Sequence, residues 1–209
     1  MRKITSKSAR GDELFIRDKF SSNNRWGIPT IKCCDTSNYP VKLMSFSSVK
    51  RNDTKNFDKA VHFFKDDYRM ESVYNKPYDK MEVLAQYRCL ITPDYSIYTD
   101  LPLAIQIYNV FKSRWCGAFW QDYGKDVIPS VSWGDASSFD FCFEGIEENS
   151  AVFVSTIGVR KKETDFLQGY NVMLDKIKPN TIFCLGHPFD AMDGNVIFID
   201  YKDTFAGGT

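Results

Sequence analysis

The sequence predicts an α/β domain with a mostly parallel sheet, TIM-barrel-like or an incomplete barrel, with an open doubly wound sheet as the alternative. Three observations carry this reading. Short apolar runs recur without the period-two alternation of a half-exposed strand, as expected for strands covered on both faces. Helical patterns separate several of these runs, as in repeated βαβ units. The helical crossovers are uneven in length, which favours a barrel-like wall over a regular open sheet.

At 209 residues one domain suffices, and it should bury roughly 70% of its extended surface. With 17 Phe, 11 Tyr and 4 Trp, flat aromatic side chains fill much of the core. Residues 1–25 read as a basic, partly flexible arm, 26–202 as a single α/β domain and 203–209 as a frayed tail. In the arm only Leu14-Phe15-Ile16 and Phe20 look like anchors. Trp26-Gly27-Ile28-Pro29 then enters an extended piece ending near Cys33. A strand over Val41–Phe46 precedes the charged segment Lys50–Asp58, which reads as a mobile loop.

The regular part begins with a strand at Ala60–Phe64 that stops at Lys65-Asp66-Asp67-Tyr68-Arg69. Pro77 opens a helix with Met81, Leu84 and Ala85 on one face, since proline is tolerated in the first turn. Arg88–Thr92 is the next strand. Asp100 is a suitable N-cap for a helix from about Pro102 to Tyr123, apolar on most sides and so largely buried. A strand within Val127–Asp135 runs into a turn, followed by a weaker helix or irregular segment over Ser137–Ile146. After the strand Ala151–Thr156 comes the clearest helix, with Phe166, Leu167, Tyr170, Met173, Leu174 and Ile177 on one face. Strands at Thr181–Gly186 and Asn195–Asp200 finish the pattern, the gap between them being too short for a full helix.

Net charge is zero, so no global field steers the protein onto nucleic acid or anionic lipid. Residues 1–65 hold 14 Lys+Arg against 6 Asp+Glu, a net of +8 balanced by −8 in the remainder. A solvated basic arm accounts for this, with a phosphate-facing patch as the sharper alternative. No apolar run approaches the ~20 residues of a membrane span, and the start of the chain lacks the apolar core of a signal peptide. The six cysteines read as buried or free thiols of a reducing cytoplasm, with Cys89, Cys142 and Cys184 inside apolar runs.

In parallel α/β folds, sites form at the carboxyl ends of the strands. Those ends supply Asp66 and Asp67, Asp94, then Ser132, Trp133 and Asp135, then Ser155 and Thr156, Gly186 and His187, and Asp200. Arg69 and Arg114 are candidate cationic partners. Asp94 and Asp135 are the candidate catalytic pair, because paired carboxylates divide acid and base roles when their environments separate their pKa values. Trp133 would be a stacking platform for a sugar or nucleobase, and Asp66, Arg69, Arg114, Ser132, Thr156 and His187 would line the ligand. The plainer reading has each Asp capping a following helix and Trp133 packing in the core.

His62 reads as a satisfied core histidine, and His187 in Leu185-Gly186-His187-Pro188 as the better base or ligand. The helical segment Lys112–Gln121 reads as a buried aromatic face with Arg114 reaching the surface. Two histidines make a His-rich zinc site unexpected, and there is no G-x-G-x-x-G, P-loop or G-x-S-x-G. NAD, haem and structural zinc are therefore not indicated, whereas Mg²⁺ on Asp66, Asp94 or Asp135 is compatible with the few protein ligands that ion needs.

Trp26-Gly27-Ile28-Pro29, Thr92-Pro93-Asp94-Tyr95-Ser96, the Ser113–Gln121 run and Val127-Ile128-Pro129 with Trp133 resemble a family of uncharacterised proteins of bacteria, their phages and mobile elements, known as a domain of unknown function. The resemblance extends from about Phe15 to Tyr201. It implies a cytoplasmic, mobile-element setting and brings no activity or catalytic residue.

Two function classes follow. One is a hydrolase acting on a glycosidic or nucleotide-type bond through Asp94 and Asp135. The other is a non-catalytic binding protein, such as a host-factor inhibitor or a counter-defence protein sequestering a nucleotide signal. The expected partner is a sugar- or nucleotide-like small molecule or a host protein. Nucleic-acid binding through the basic first third is not favoured, and no membrane association is expected.

Overall fold

The computed structural model describes residues 11–34, 36 and 42–204. Within them the strands follow one another in chain order: β1 (Leu43–Ser45), β2 (Ala60–His62), β3 (Cys89–Ile91), β4 (Asp126–Ile128), β5 (Ala151–Ser155), β6 (Thr181–Leu185) and β7 (Val196–Ile199). β1 to β4 form one parallel ladder and β5 to β7 another. A parallel bridge between Ser130 and Phe153 joins them. It is made by the Val131 N–H to the Phe153 carbonyl at 2.8 Å and the Phe153 N–H to the Pro129 carbonyl at 2.9 Å.

Within each ladder the strands lie in chain order, and among the described residues no ladder joins β7 to β1, so no closed barrel forms and the wall is an open or incomplete α/β fold. The 3₁₀ turn Tyr201–Thr204 packs beside β1 instead.

The helices are α1 (Glu13–Ile16), α2 (Asp67–Asn75), α3 (Pro77–Leu84), α4 (Leu103–Asp122) and α5 (Glu163–Ile177). Strand side chains alternate between two apolar layers, so the strands lack polar alternation. Leu43, Ala60, Cys89, Ile91, Ile128, Phe153, Phe183 and Leu185 meet on the inner face. Their neighbours Met44, Val61, Leu90 and Val127 face a cluster with α2, α3 and α4, while Val152, Val154, Ile182 and Cys184 face α5.

Several expectations need correction. Residues 67–75 form a helix that the sequence reading passed over, and it buries Met70, Val73 and Tyr74. Asp100 does not cap α4, whose N-cap is Pro102 with no side-chain cap. Only the second half of α4 is enclosed, since Leu103, Ile105 and Tyr108 are exposed. Lys50–Asp58 is organised around buried Asp53, which accepts from the Lys55 N–H at 2.9 Å, from Asn56 and from the Tyr87 hydroxyl at 3.1 Å. Ser137–Ile146 needs no correction, being irregular, one of the two forms expected, after the 3₁₀ turn Ala136–Ser138 that overlaps its start.

Residues 1–10 of the expected arm, Val41 of the expected strand and residues 205–209 of the expected tail lie outside the described residues. In the rest of the arm Leu14 and Phe20 pack inward, but Phe15 and Ile16 are exposed. The stronger anchor is Arg17. Its guanidinium lies 4.1 Å from the ring centroids of both Tyr74 and Trp115 and donates to the Tyr74 carbonyl at 2.9 Å. No helix among the described residues is long and apolar enough to cross a membrane.

Candidate functional site

β3 and β4 end in hydroxyl residues that face α4. The Ser130 N–H donates to Thr92 Oγ1 at 2.8 Å, and the Ser113 hydroxyl donates to the same oxygen at 3.1 Å. Gly117 allows this approach, because a Cβ there would lie 2.5 Å from Ile31 Cδ1 and 2.8 Å from Thr92 Cγ2. Arg114, 2% exposed, donates to the carbonyls of Ser130 (2.9 Å), Cys142 (3.0 Å) and Glu144 (3.1 Å) and to the Ser113 hydroxyl (3.2 Å). It does not reach the surface as the helix pattern suggested. It ties the irregular segment after β4 to the sheet, and burial lowers its pKa to about 10.

Above this network lies a cavity of about 10 Å³ lined by Asp94, Ile97, Asn109, Arg114, Ser130 and Ser132. That is room for about one water molecule. Asp94 is partly buried, and its carboxyl is pushed up to about 6 by burial. A hydrogen bond with the Ser132 hydroxyl opposes this shift, the charge of Asp67 adds to it, and Arg114 opposes it. Asp67 itself is occupied, accepting from the Ser96 N–H and, at 2.9 Å, from the Ser96 hydroxyl. Asn109 holds the same loop by donating to the Ser96 carbonyl at 2.7 Å.

Of the residues expected to form a site, the fold gathers Asp94, Ser132 and Arg114 around this cavity and leaves the others elsewhere. Asp135 is exposed and caps the turn Ala136–Ser138, accepting from the Ser137 N–H at 3.0 Å and the Ser137 hydroxyl at 2.6 Å. The Ser137 hydroxyl and then its N–H hold that carboxyl below the usual range. Trp133 packs on α5, its ring 4.9 Å from Phe166. Asp66 and Arg69 pair at the surface at 3.4 Å. Thr156 is buried at the end of β5 and donates to the His187 carbonyl at 2.8 Å, while the exposed His187 ring stacks on Phe198 at 4.6 Å.

Asp66, Asp94 and Asp135 thus have separate partners. Among the described residues no group of three His, Cys, Asp or Glu is placed to hold a metal. The six cysteines are free thiols. Thr92, Asn109, Ser113 and Ser130 were missed as contributors. The spacing of Asn109 and Ser113, four apart on one helix, was the available signal.

Comparison with known proteins adds a family. The model described as "Domain of unknown function (DUF4417)" matches residues 20–202. The chain is 36% identical over 180 residues to the Gene 1 protein of Mycobacterium phage L5, covering 84% of this chain and 77% of that one. It is 34% identical over 179 residues to the Gene 1 protein of Mycobacterium phage D29, covering 84% of this chain and 66%, just under two thirds, of that one. It is in this sense a phage-type protein. No solved structure matches.

Proposed function

The chain belongs to the family described as "Domain of unknown function (DUF4417)", and from that premise we propose that the Asp94 cavity is an acid–base site for hydrolysis of a glycosidic or nucleotide-type bond. The observation that carries this reading is the Asp94 carboxyl. It is pushed up to about 6 by burial, bonded to Ser132, and set beside space for a single water at the carboxyl ends of β3 and β4. A group that titrates near neutrality is suited to taking a proton from that water and returning it to a leaving oxygen.

The proposal departs from a two-carboxylate scheme with Asp135, which is spent on a turn. Asp94 is the reacting group, Ser132 and Asn109 position the water, and Arg114 holds the floor in place. Asp94→Asn should abolish turnover of a panel of nucleotides and glycosides while circular dichroism shows the fold retained. Full activity in that variant would overturn the assignment.

The cavity's size favours one other reading, a non-catalytic binding protein that occupies a host factor through its surface, because the cavity has room for about one water and not for a sugar or a nucleotide. Calorimetry showing binding with no product formed, and binding preserved in Asp94→Asn, would select this reading over the first.

A further inference from the structure

The segment between β3 and α4 forms one wall of the Asp94 cavity and is pinned at its middle by a single residue. Pro93, Asp94, Tyr95 and Ile97 of this segment line the cavity. From Pro93 to Pro102 the backbone is irregular, and among the described residues its one internal backbone bond runs from the Leu101 N–H to the Tyr98 carbonyl at 3.1 Å. Ser96 ties it to the body. Its N–H meets both Asp67 carboxylate oxygens at 3.2 Å, its hydroxyl donates to Asp67 at 2.9 Å, and its carbonyl accepts from Asn109 at 2.7 Å.

The two ends are fixed separately. The Ser130 hydroxyl donates to the Pro93 carbonyl at 3.4 Å, and the Gln106 side chain donates to the Leu101 carbonyl at 2.9 Å. Tyr95 is sunk in the cluster of α2, α3 and α4, so the stretch free to move begins after it. Tyr98, Thr99 and Asp100 are exposed, and the outer side of that stretch faces solvent. Its inner side meets the turn after β4, where a Cβ on Gly134 would stand 2.9 Å from the Ile97 carbonyl. Gly134 has no left-handed φ, so this close approach, and not the backbone conformation, calls for a glycine. The closed cavity holds about one water, whereas hydrolysis needs a sugar- or nucleotide-sized group beside Asp94.

We propose that Ser96–Leu101 is a lid over the Asp94 cavity, which opens when Ser96 leaves Asp67 and Asn109 and Ile97 parts from Gly134, admitting a group larger than water to Asp94. Hydrogen bonds to a carboxylate are stronger than neutral ones, so the Asp67 clasp is the main hold on the closed form. What the lid admits rests on the acid–base reading, whereas its opening can be measured without turnover.

Ser113 lines the cavity one turn beyond Asn109 on α4 and is 5% exposed. The full chain carrying Ser113→Cys is treated with N-ethylmaleimide under native conditions, and labelling at each cysteine is followed by peptide mass spectrometry. Exposed Cys33 is the reference for free access, and buried Cys89 and Cys184 are the references for global unfolding. The introduced thiol should label about tenfold or more slower than Cys33 and about tenfold or more faster than Cys89 and Cys184, at a rate nearly independent of urea below the unfolding transition. Asp67→Ala removes the clasp, and Gly134→Ala sets a methyl against the Ile97 carbonyl. Each should speed that labelling about tenfold and leave Cys89 and Cys184 as slow as before. Circular dichroism checks each fold, and Gly134→Ala decides alone if losing Asp67 from the start of α2 unfolds the chain. The lid is refuted if the introduced thiol labels only with Cys89 and Cys184 and with their urea dependence, if it labels as fast as Cys33, or if the folded variants leave its rate unchanged. A lid that opens in a chain without hydrolytic activity stands, and the acid–base reading alone falls.

Discussion

Arg114 and Asp94 line one cavity, act on each other through their charges and carry opposite obligations. Arg114 satisfies the carbonyls of Ser130, Cys142 and Glu144, none of which lies in a helix or ladder that would otherwise pair it. Arg114→Met keeps the stem and strands those acceptors, so it should cost about 3 kcal/mol or more in urea unfolding. An arginine placed only to bind ligand would show almost no stability loss.

Asp94 is the reverse case, since the fold disfavours its charge. Its pKa rises from 3.8 to about 6, so the folded state binds the proton more tightly than the unfolded state does. The resulting stabilisation is complete below about 4 and is lost as pH rises through 6. Asp94→Asn mimics the protonated form at every pH. Its melting temperature relative to the parent should therefore increase from pH 4 to pH 7, and a constant difference across that range would refute the assigned shift.

At the scale of elements, α5 and the segment after β4 are fitted through a glycine. A Cβ on Gly169 would lie 2.3 Å from the Trp133 ring. Helix propensity alone favours Gly169→Ala by about 1 kcal/mol, but the indole is wedged between α5, Phe166 and Phe143 and cannot withdraw freely. The overlap should win, leaving the variant about 1–3 kcal/mol less stable by chemical denaturation. A stabilised variant would mean that Trp133 moves aside easily, as a ligand platform must.

This packing also marks what the sequence could reveal. Apolar runs such as Ala60–Phe64 and Thr181–Gly186 located β2 and β6 to within two residues, because a strand covered on both faces has nothing polar to blur its ends. α2 stayed hidden because its charged start, Asp66-Asp67, resembled a loop. Its buried set of Met70, Val73 and Tyr74 spans little more than one turn. The Asp94 cavity was half visible. Being at a strand end says nothing of which face a side chain takes, and a shift of one residue moves it to the opposite layer. Thr92 and Ser130 fell on the α4 side, while Ser45 and His62 fell inside.

At the scale of the whole molecule, the question is whether two ladders joined by one bridge unfold as one body. The backbone link is thin, with two hydrogen bonds between Pro129–Val131 and Phe153. The side-chain layers on either side are continuous, however. The inner cluster draws Ala60, Ile91 and Ile128 from one ladder and Phe153, Phe183 and Leu185 from the other. The outer cluster under α5 takes in Val131 and Val110 of α4. Separating the ladders would expose both layers, and at roughly 25 cal/mol per Å² of apolar surface that cost far exceeds the loss of two hydrogen bonds. The sheet should therefore open cooperatively. In native-state hydrogen exchange, the Val131 and Phe153 amides should share the free energy and denaturant dependence of Leu90 and Phe183, deep in the two ladders. Exchange of the bridge amides at clearly lower free energy, with a shallower denaturant slope, would show that the ladders part before either unfolds.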